Sequence, residues 1–249
     1  MLSSQRKQTI LALLAQEKQV QSRELSQRFG LSEDSIRRDL RELAAEGLLQ
    51  RVHGGALPVS AALATFETRK SVQTASKQVI AQKAVSLIQP GQIVLIDGGT
   101  TSAELVRRLP ATLSFTAVTH SPSVALALAD HPLVEIILIG GQLYKHSVVT
   151  VGAAMLESIN RINADLFFMG VTGVHPAAGL TTGNFEEATV KRALAGRAAE
   201  TVVLASAEKL NSASAFAIGD LSLASTLVVE TQPDEALRQA LSQQGVTVI

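Results

Sequence analysis

Residues 22–47 read SRELSQRFGLSEDSIRRDLRELAAEG, two short amphipathic segments with a glycine between them. The first segment begins at Ser22, a residue type that caps helix N-termini, and stops before Gly30, a residue type that ends helices. The second segment carries the same two signals in Ser32 and Gly47. Apolar side chains recur at helical spacing within it. We therefore predict two helices joined by a tight turn.

The flanking sequence completes a small domain. An apolar period over residues 6–17 predicts one more helix, and residues 48–59, LLQRVHGGALPV, predict two short strands around a Gly-Gly turn. Three helices followed by a hairpin are typical of a winged helix-turn-helix, in which the second helix of the motif enters the DNA major groove. We place this DNA-binding domain in residues 1–57, which hold nine Lys/Arg and seven Asp/Glu, a net charge of +2 in a chain of zero net charge.

The helix that opens at Ser32 carries the side chains expected to meet DNA. Short polar residues at a helix N-terminus can approach base edges or phosphates, and arginine can pair with guanine or clamp a phosphate. The predicted DNA contacts are Ser22, Ser32, Glu33, Ser35, Arg37 and Arg38 on the helices and Arg51, His53 and Gly54 on the wing. Acidic residues outnumber arginines in this helix, so an ordinary packing module, or one that contacts only proteins, is the alternative.

The pattern changes at residue 76. Seven apolar runs predict strands, at 93–96, 115–118, 134–139, 166–171, 202–205, 227–229 and 246–249. Helical stretches between most of them cover 103–109, 124–129, 153–162, 186–199 and 235–242. This alternation indicates a mostly parallel sheet with helices on both faces, which binds ligands at the carboxyl ends of its strands. We expect a linker at 58–75, with helix at its end, and an effector-binding and oligomerisation domain at 76–249.

A phosphate-binding loop is one interpretation of residues 96–109, IDGGTTSAELVRRL. The backbone amides after Asp97, the hydroxyls of Thr100, Thr101 and Ser102, and the following helix N-terminus can surround an anion. The chain lacks the G-x-x-x-x-G-K-[ST] and G-x-G-x-x-G nucleotide motifs. A tight strand-to-helix turn capped by threonine is the alternative.

Cationic side chains are available to complete such a site. Lys209 follows the run 202–205, and Arg69 and Lys77 flank the start of the second domain. Lys191 stands four residues after Glu187, which is also the spacing of an exposed ion pair.

The motifs SIRRDL at 35–40 and RVHGGA at 51–56 resemble the DNA-binding domain of the DeoR family of bacterial transcriptional regulators, which usually has Thr at the place of Ser35. Residues 76–230 resemble the effector domain of that family. The resemblance implies an α/β protein: a winged helix-turn-helix followed by a Rossmann-like domain similar to sugar-phosphate isomerases such as ribose-5-phosphate isomerase. The family pattern Glu-x-Arg followed by Lys matches Glu67, Arg69 and Lys77.

The same resemblance organises the effector site. It implies binding by Arg69, Lys77, Asp97, Gly98, Gly99, Thr100, Thr101, Ser102, His120, Thr172, Glu187, Lys191 and Lys209. Three positions depart from the family pattern, because His120 stands where Asn is frequent, and Thr172 and Ser206 stand where Asp is frequent. The two lost carboxylates imply an altered sugar pocket and disfavour proton-transfer catalysis, although Asp97 and Glu187 remain as bases.

Composition excludes several classes of site. The chain has no cysteine, which excludes disulfides, thiolate zinc sites and cysteine nucleophiles. Its five histidines lack metal-binding spacing, so we expect no metal and no other cofactor. The N-terminus lacks a signal-peptide pattern and no apolar run reaches about 18 residues, so we expect a soluble, cytoplasmic protein without a membrane partner.

These observations predict a non-enzymatic transcriptional regulator, a repressor of a carbohydrate-metabolism operon. Its expected partners are double-stranded operator DNA, a phosphorylated sugar or related metabolite, and further copies of the chain in a dimer or tetramer. Oligomers would multiply the DNA contacts that one small domain of charge +2 provides. The alternative is a sugar-phosphate isomerase fused to a DNA-binding module.

Overall fold

A computed structural model describes residues 2–60, 63 and 65–249 of the chain. The N-terminal part contains three helices and three short strands. In chain order they are α1 (Ser3–Glu17), β1 (Val20–Gln21), α2 (Ser22–Phe29), α3 (Glu33–Ala45), β2 (Gln50–Val52) and β3 (Gly55–Leu57). The strands form an antiparallel sheet in the order β1-β3-β2. The predicted winged helix-turn-helix is confirmed.

Apolar stripes on the three helices make the core of this domain, with Ile10, Ile36 and Leu40 fully buried. Ser32 caps α3 as predicted, since its side chain accepts the backbone N–H of Ser35 at 3.3 Å. The predicted cap at Ser22 is wrong, because Gln21 occupies the N-cap position and Ser22 is the first helical residue.

In its described residues, the second part contains nineteen α-helices and β-strands. The first ten are α4 (Phe66–Ser71), α5 (Thr74–Val85), β4 (Ile93–Ile96), α6 (Thr100–Arg107), β5 (Phe115–Thr119), α7 (Pro122–Leu128), β6 (Val134–Leu138), β7 (Gln142–Tyr144), β8 (Val149–Val151) and α8 (Ala153–Ile159). The others are β9 (Ala164–Gly170), β10 (Gly173–His175), β11 (Gly179–Thr182), α9 (Phe185–Ala195), β12 (Ala198–Leu204), β13 (Phe216–Gly219), β14 (Thr226–Val228), α10 (Glu235–Gln243) and β15 (Thr247–Val248).

Seven strands form one parallel sheet in the order β15-β14-β12-β9-β4-β5-β6. Each corresponds to one of the seven predicted apolar runs. The central strands are apolar on both faces because helices cover both: Leu95 and Phe167 point into one buried cluster, while Ile96 and Phe168 point into the other. The predicted α/β domain is therefore confirmed.

The order of the strands sets the place of a ligand site. After β4 the chain winds outward to β5 and β6, and then returns to β9 and winds outward the other way to β12, β14 and β15. The order therefore reverses between β4 and β9. Open α/β sheets leave a crevice at such a reversal, beyond the carboxyl ends of the strands.

Several local expectations differ from the structure. The helix predicted over 186–199 ends at Ala195, because the apolar residues that follow Gly196 begin strand β12. The sequence pattern did not indicate the β7–β8 hairpin or the small antiparallel sheet β10-β11-β13. Helix at the end of the expected linker is present as α4 and the start of α5. Among the described residues no helix is both long and apolar enough to cross a membrane.

Candidate functional site

A cavity of about 150 Å³ opens at the β4–β9 crevice. Residues that follow β4 and β9 form its floor, and α4, α9 and the 3-10 helix Ala207–Lys209 form its walls. Eleven of the thirteen residues predicted for the effector site line it: Arg69, Lys77, Gly98, Gly99, Thr100, Thr101, Ser102, Thr172, Glu187, Lys191 and Lys209. The fold thus brings together side chains from positions 69 to 209.

The β4–α6 loop presents unoccupied hydrogen-bond donors to this cavity. Gly99 is the N-cap of α6 with φ +121°, a backbone conformation that favours glycine, and no side chain caps the helix. The first turn of a helix leaves its amide groups without intrahelical partners. The Ser102 hydroxyl is buried, and no described residue bonds to it. The alternative of a threonine-capped turn is therefore wrong.

Arg69 enters the cavity from α4. Its Nε and Nη2 atoms are buried and have no hydrogen-bond partner in the part of the chain that the structure describes. Burial lowers the pKa of Arg69, and the negative charges of Glu187 and Asp97 oppose that shift. A guanidinium with free donors in a polar cavity is a receptor for an anion.

Lys77 lines the cavity, but its ammonium group already donates hydrogen bonds to other groups of the protein. It is 4% exposed and donates to the backbone carbonyls of Arg69 and Val72, which end α4. Burial lowers the pKa of this lysine. Lys77 therefore supports the helix that carries Arg69, a role that the sequence did not indicate.

Lys209 is the second unpaired cation of the site. It is 7% exposed, and its side chain makes no hydrogen bond or ion pair within residues 2–60, 63 and 65–249. Burial lowers its pKa to about 8; the charge of Glu208 opposes that shift, while Arg69 and other neighbouring cations add to it. An anion in the cavity would favour the charged form of Lys209 and raise its pKa.

Asp97 and His120 do not line the cavity, although both were predicted to bind effector. Asp97 is fully buried beneath the floor, where its carboxylate accepts from the Gly170 amide at 2.8 Å and from Lys191. Its other oxygen accepts from the Gly98 amide at 2.8 Å and from His120 Nε2 at 2.9 Å. Four donors leave this carboxylate without a free lone pair.

The pKa of Asp97 lies well below its ordinary value. Burial alone raises that pKa, but the charge of Lys191, together with the hydrogen bond and charge of His120, outweighs burial. The carboxylate therefore stays ionised at neutral pH. The exposed Glu187–Lys191 ion pair considered as an alternative is wrong, because Lys191 is buried and pairs with Asp97 instead.

Polar groups around Thr172 and Glu187 line the rest of the cavity. The Thr172 hydroxyl bonds to Ser214 Oγ at 2.7 Å, and Glu187 is 8% exposed in the first turn of α9. Ser206 is fully buried and donates to Glu208 Oε1 at 2.6 Å, away from the lining. Ten lining residues were not among the predicted effector contacts: Leu63, Val72, Tyr144, His146, Ser147, Gly170, Val171, Thr182, Gly183 and Glu208. No spacing signal marks them, because they come from loops, short helices and strand ends that only the fold brings together.

No group of three or more His, Asp or Glu side chains suited to a metal ion is found among the described residues. Cationic and neutral donors face this small space together with the carboxylates of Glu187 and Glu208. Such a set binds an anion with hydroxyl or other polar substituents.

The predicted DNA-facing helix exposes its arginines. Arg38 is exposed, and Arg37 is 56% exposed and pairs with Glu33 at 2.8 Å. The acidic excess of α3 is partly turned inward, because Asp39 is buried against Arg6 of α1. Glu42 pairs with Lys7, also on α1. The solvent side of α3 is therefore less acidic than its sequence suggests.

The wing is short and tied to α2. Arg51, His53 and Gly54 are exposed, as a DNA contact requires. Ser22 is 4% exposed, and its backbone N–H donates to the Gly54 carbonyl at 2.7 Å. Ser22 thus fixes the wing turn against α2. A Cβ atom at Gly55 would lie 1.9 Å from the Val20 carbonyl oxygen, so this position requires glycine.

Comparison with known proteins gives matches to both parts. Residues 6–61 match the model of the DeoR-like helix-turn-helix domain, and residues 72–231 match that of the DeoR C terminal sensor domain. The chain is 34% identical over 251 residues to the HTH-type transcriptional regulator GlpR of Haloferax volcanii, covering 100% of this chain and 98% of that protein. It is 30% identical to the glycerol-3-phosphate regulon repressor of Escherichia coli K12, covering 99% and 98%.

Among solved structures, eIF2B beta from Chaetomium thermophilum aligns with a TM-score of 0.48 and 15% identity, covering 69% of this chain and 54% of that chain. Ribose 5-phosphate isomerase A from Methanocaldococcus jannaschii aligns with a TM-score of 0.40 and 19% identity, covering 54% and 53%. Family membership rests on the sequence matches, which span both parts. The chain belongs to the DeoR family of transcriptional regulators.

Proposed function

We propose that this protein represses a carbohydrate-metabolism operon and that a small phosphorylated metabolite, such as a sugar phosphate, modulates its operator binding. One observation carries the effector half of the proposal. Arg69 Nε, Arg69 Nη2 and Ser102 Oγ are buried donors at the same cavity without a partner in the described residues, and Lys209 adds an ammonium group that makes no hydrogen bond there. Buried donors are normally satisfied, so three such donor atoms in one place indicate a missing ligand that accepts hydrogen bonds.

A phosphate group fits this cavity better than a neutral ligand does. The N-terminus of α6 contributes free amides and the positive end of its dipole. Arg69 offers a guanidinium, and Lys209 a point charge. Thr172 and Glu187, at the polar part of the lining, are suited to hydroxyl groups of a sugar.

The DNA-binding half rests on the exposed face of α3 and on the family. Ser35, Arg37 and Arg38 lie on that face, and the wing adds Arg51 and His53. Relatives of similar length include a glycerol-3-phosphate regulon repressor and a putative aga operon transcriptional repressor. Their names support a transcriptional repressor of a metabolic operon, and we propose that it acts in the cytoplasm on operator DNA.

The position of Arg69 supports a link between effector and DNA. We assign DNA binding to residues 1–57 and effector binding and oligomerisation to 76–249, with 58–75 between them. Helix α4 lies in that connecting stretch and carries Arg69 into the cavity wall. An anion that holds Arg69 would therefore hold the segment that joins the two domains. The effector changes operator affinity only by the difference in its affinity for the two conformers.

The isomerase alternative is less well supported. An aldose–ketose isomerisation needs a base with a free lone pair beside the reacting carbon. Asp97 has none, since four donors occupy its carboxylate. Of the two candidate bases, Asp97 and Glu187, this leaves Glu187.

The test uses full-length protein, labelled DNA from upstream of its own gene, and a panel of sugar phosphates with their unphosphorylated parents. We expect one phosphorylated compound to change operator affinity at least fivefold, the lower range of allosteric coupling, while its parent sugar does not. Arg69→Ala should lose this response, and Arg161→Ala, an exposed control, should keep it. The proposal would be contradicted if the protein bound the upstream DNA no more tightly than random DNA. It would also be contradicted if the protein isomerised a sugar phosphate of the panel.

A further inference from the structure

His120 sits behind the cavity floor between two hydrogen-bond acceptors. The ring is 1% exposed and directly follows β5. Its Nδ1 atom lies 2.8 Å from the Thr150 carbonyl oxygen, and its Nε2 atom lies 2.9 Å from Asp97 Oδ1. A carbonyl oxygen can only accept, and so can an ionised carboxylate.

The protonation state of the ring follows from these partners. A neutral imidazole carries one N–H and one lone pair, so it would turn the lone pair toward one of the two oxygens. Both contacts are satisfied only when both nitrogens carry a proton. Asp97 is not the source of the second proton, because its remaining lone pairs accept from Gly98, Gly170 and Lys191.

We infer that His120 is a positioning residue, a buried imidazolium that neutralises Asp97 and so leaves the charge of Lys191 available to the effector. The relation to effector affinity rests on the proposed function of the cavity. Without a charge at position 120, Asp97 and Lys191 would cancel each other beneath the floor. With a doubly protonated ring at position 120, the group of Asp97, His120 and Lys191 has a net charge of +1.

Lys191 is the member of this group that can contact an effector in the cavity. It is 5% exposed, lines the cavity, and spends one ammonium hydrogen on Asp97. An ammonium group has three donors, so two remain for a ligand. Among the charged groups around this cluster, Arg69 and Lys209 come from other elements, Glu187 lies on α9 with Lys191, and Glu208 lies beside Lys209. The surplus positive charge favours a dianion over a monoanion of the same shape.

The first measurement is the protonation of the ring in full-length protein. Nitrogen-15 NMR of the histidine side chains, recorded from pH 6.5 to 8.5, distinguishes a doubly protonated ring from a neutral one, and His120→Asn assigns the signal. Because both ring nitrogens face acceptors, we expect both nitrogens of His120 to carry a proton. A ring with one bare nitrogen at pH 7 would overturn the inference.

The second measurement is affinity for inorganic phosphate by calorimetry at pH 7.5. Asn at position 120 keeps a hydrogen-bonding side chain without the charge, so His120→Asn should bind phosphate at least tenfold more weakly. His131→Asn, at a half-buried histidine that does not line the cavity, is the control and should bind as the wild type does. Equal affinity in His120→Asn, with an unchanged circular dichroism spectrum, would overturn the positioning role.

The two measurements separate this inference from the proposed function. A doubly protonated His120 in a protein that binds no phosphate contradicts the anion site and, with it, the role in effector affinity. A neutral ring in a protein that binds phosphate tightly contradicts the inference about His120 and leaves the anion site in place.

Discussion

The ammonium group of Lys77, on α5, donates a hydrogen bond to the backbone carbonyl of Arg69, eight residues earlier on α4. The same group reaches the carbonyl of Val72. These contacts close the C-terminal end of a helix of six residues, at whose N-terminal end the Thr65 hydroxyl accepts the Thr68 N–H. The Arg69 guanidinium is thereby held at the cavity although it has no partner of its own in the described structure.

Removing the amine of Lys77 should weaken both stability and effector binding. In Lys77→Met two carbonyls lose their charged donor, and leaving a buried acceptor unsatisfied costs about 1–3 kcal/mol. We expect a decrease of that order in the free energy of unfolding, measured with urea, and a loss of phosphate affinity as Arg69 becomes mobile. Arg161→Ala serves as the control. Wild-type values for both quantities in Lys77→Met would show that Lys77 does not support α4.

Lys209→Met should stabilise the protein while abolishing its effector response. Burial lowers the pKa of Lys209 to about 8, below the ordinary lysine value of 10.5, which corresponds to an unfavourable charge burial on the order of 3 kcal/mol. The cost is fully present below pH 8 and disappears as pH rises from 8 to 10.5, because the unfolded chain holds the proton longer.

The Lys209→Met comparison is made by urea unfolding at pH 7 and at pH 9.5, with wild type alongside. The stability gain of the variant should be larger at pH 7 than at pH 9.5. A gain that does not depend on pH would mean that Lys209 is not the buried cation described above. The expected loss of phosphate affinity is measured by calorimetry at pH 7.

Asp97→Asn should be strongly destabilising. It leaves the buried charges of Lys191 and His120 without their carboxylate, and breaking a buried ion pair typically costs about 3–5 kcal/mol. The pKa of Asp97 is lowered in the folded protein. Its contribution to the free energy of unfolding should therefore be complete above the ordinary aspartate pKa and should fall only in acid. Asp130→Asn, at an exposed aspartate, is the matched control. Equal stability of the two variants at pH 7 would contradict the described network.

Arg37→Ala and Arg38→Ala should each weaken operator binding. Loss of a base-contacting arginine costs about 1–3 kcal/mol, whereas loss of a phosphate-contacting arginine reduces the salt dependence of binding. Fluorescence anisotropy at several salt concentrations separates the two roles. Arg161→Ala should bind as the wild type does. If both α3 variants bind the upstream DNA with wild-type affinity and salt dependence, α3 is not the recognition helix.

The sequence predicted most of the framework. The seven parallel strands were visible because a strand covered on both faces is apolar throughout, as in Phe167 and Phe168. The recognition helix was visible from its Ser32 cap. The loop after β4 was visible because glycines and hydroxyl residues follow an apolar strand directly.

Sequence patterns could not predict which side chains pair with each other inside the site. Lys191 and Asp97 are 94 positions apart, and only the register of α9 against β4 brings them together. Spacing instead suggested the pair of Glu187 and Lys191, because helical neighbours are the only partners that local periodicity reveals. The sequence did not predict the β10-β11-β13 sheet, because strands β10 and β11 are short and contain glycine and threonine in place of an apolar run.

The most direct test of the central claim is the reciprocity of the two binding events. Calorimetry of the full-length protein gives the affinity for the active sugar phosphate with and without saturating operator DNA. The two affinities should differ by the same factor, at least fivefold, by which that sugar phosphate changes operator affinity, because coupling between two sites is symmetric. Identical affinity for the sugar phosphate in the presence and absence of operator would contradict the claim that the cavity controls DNA binding.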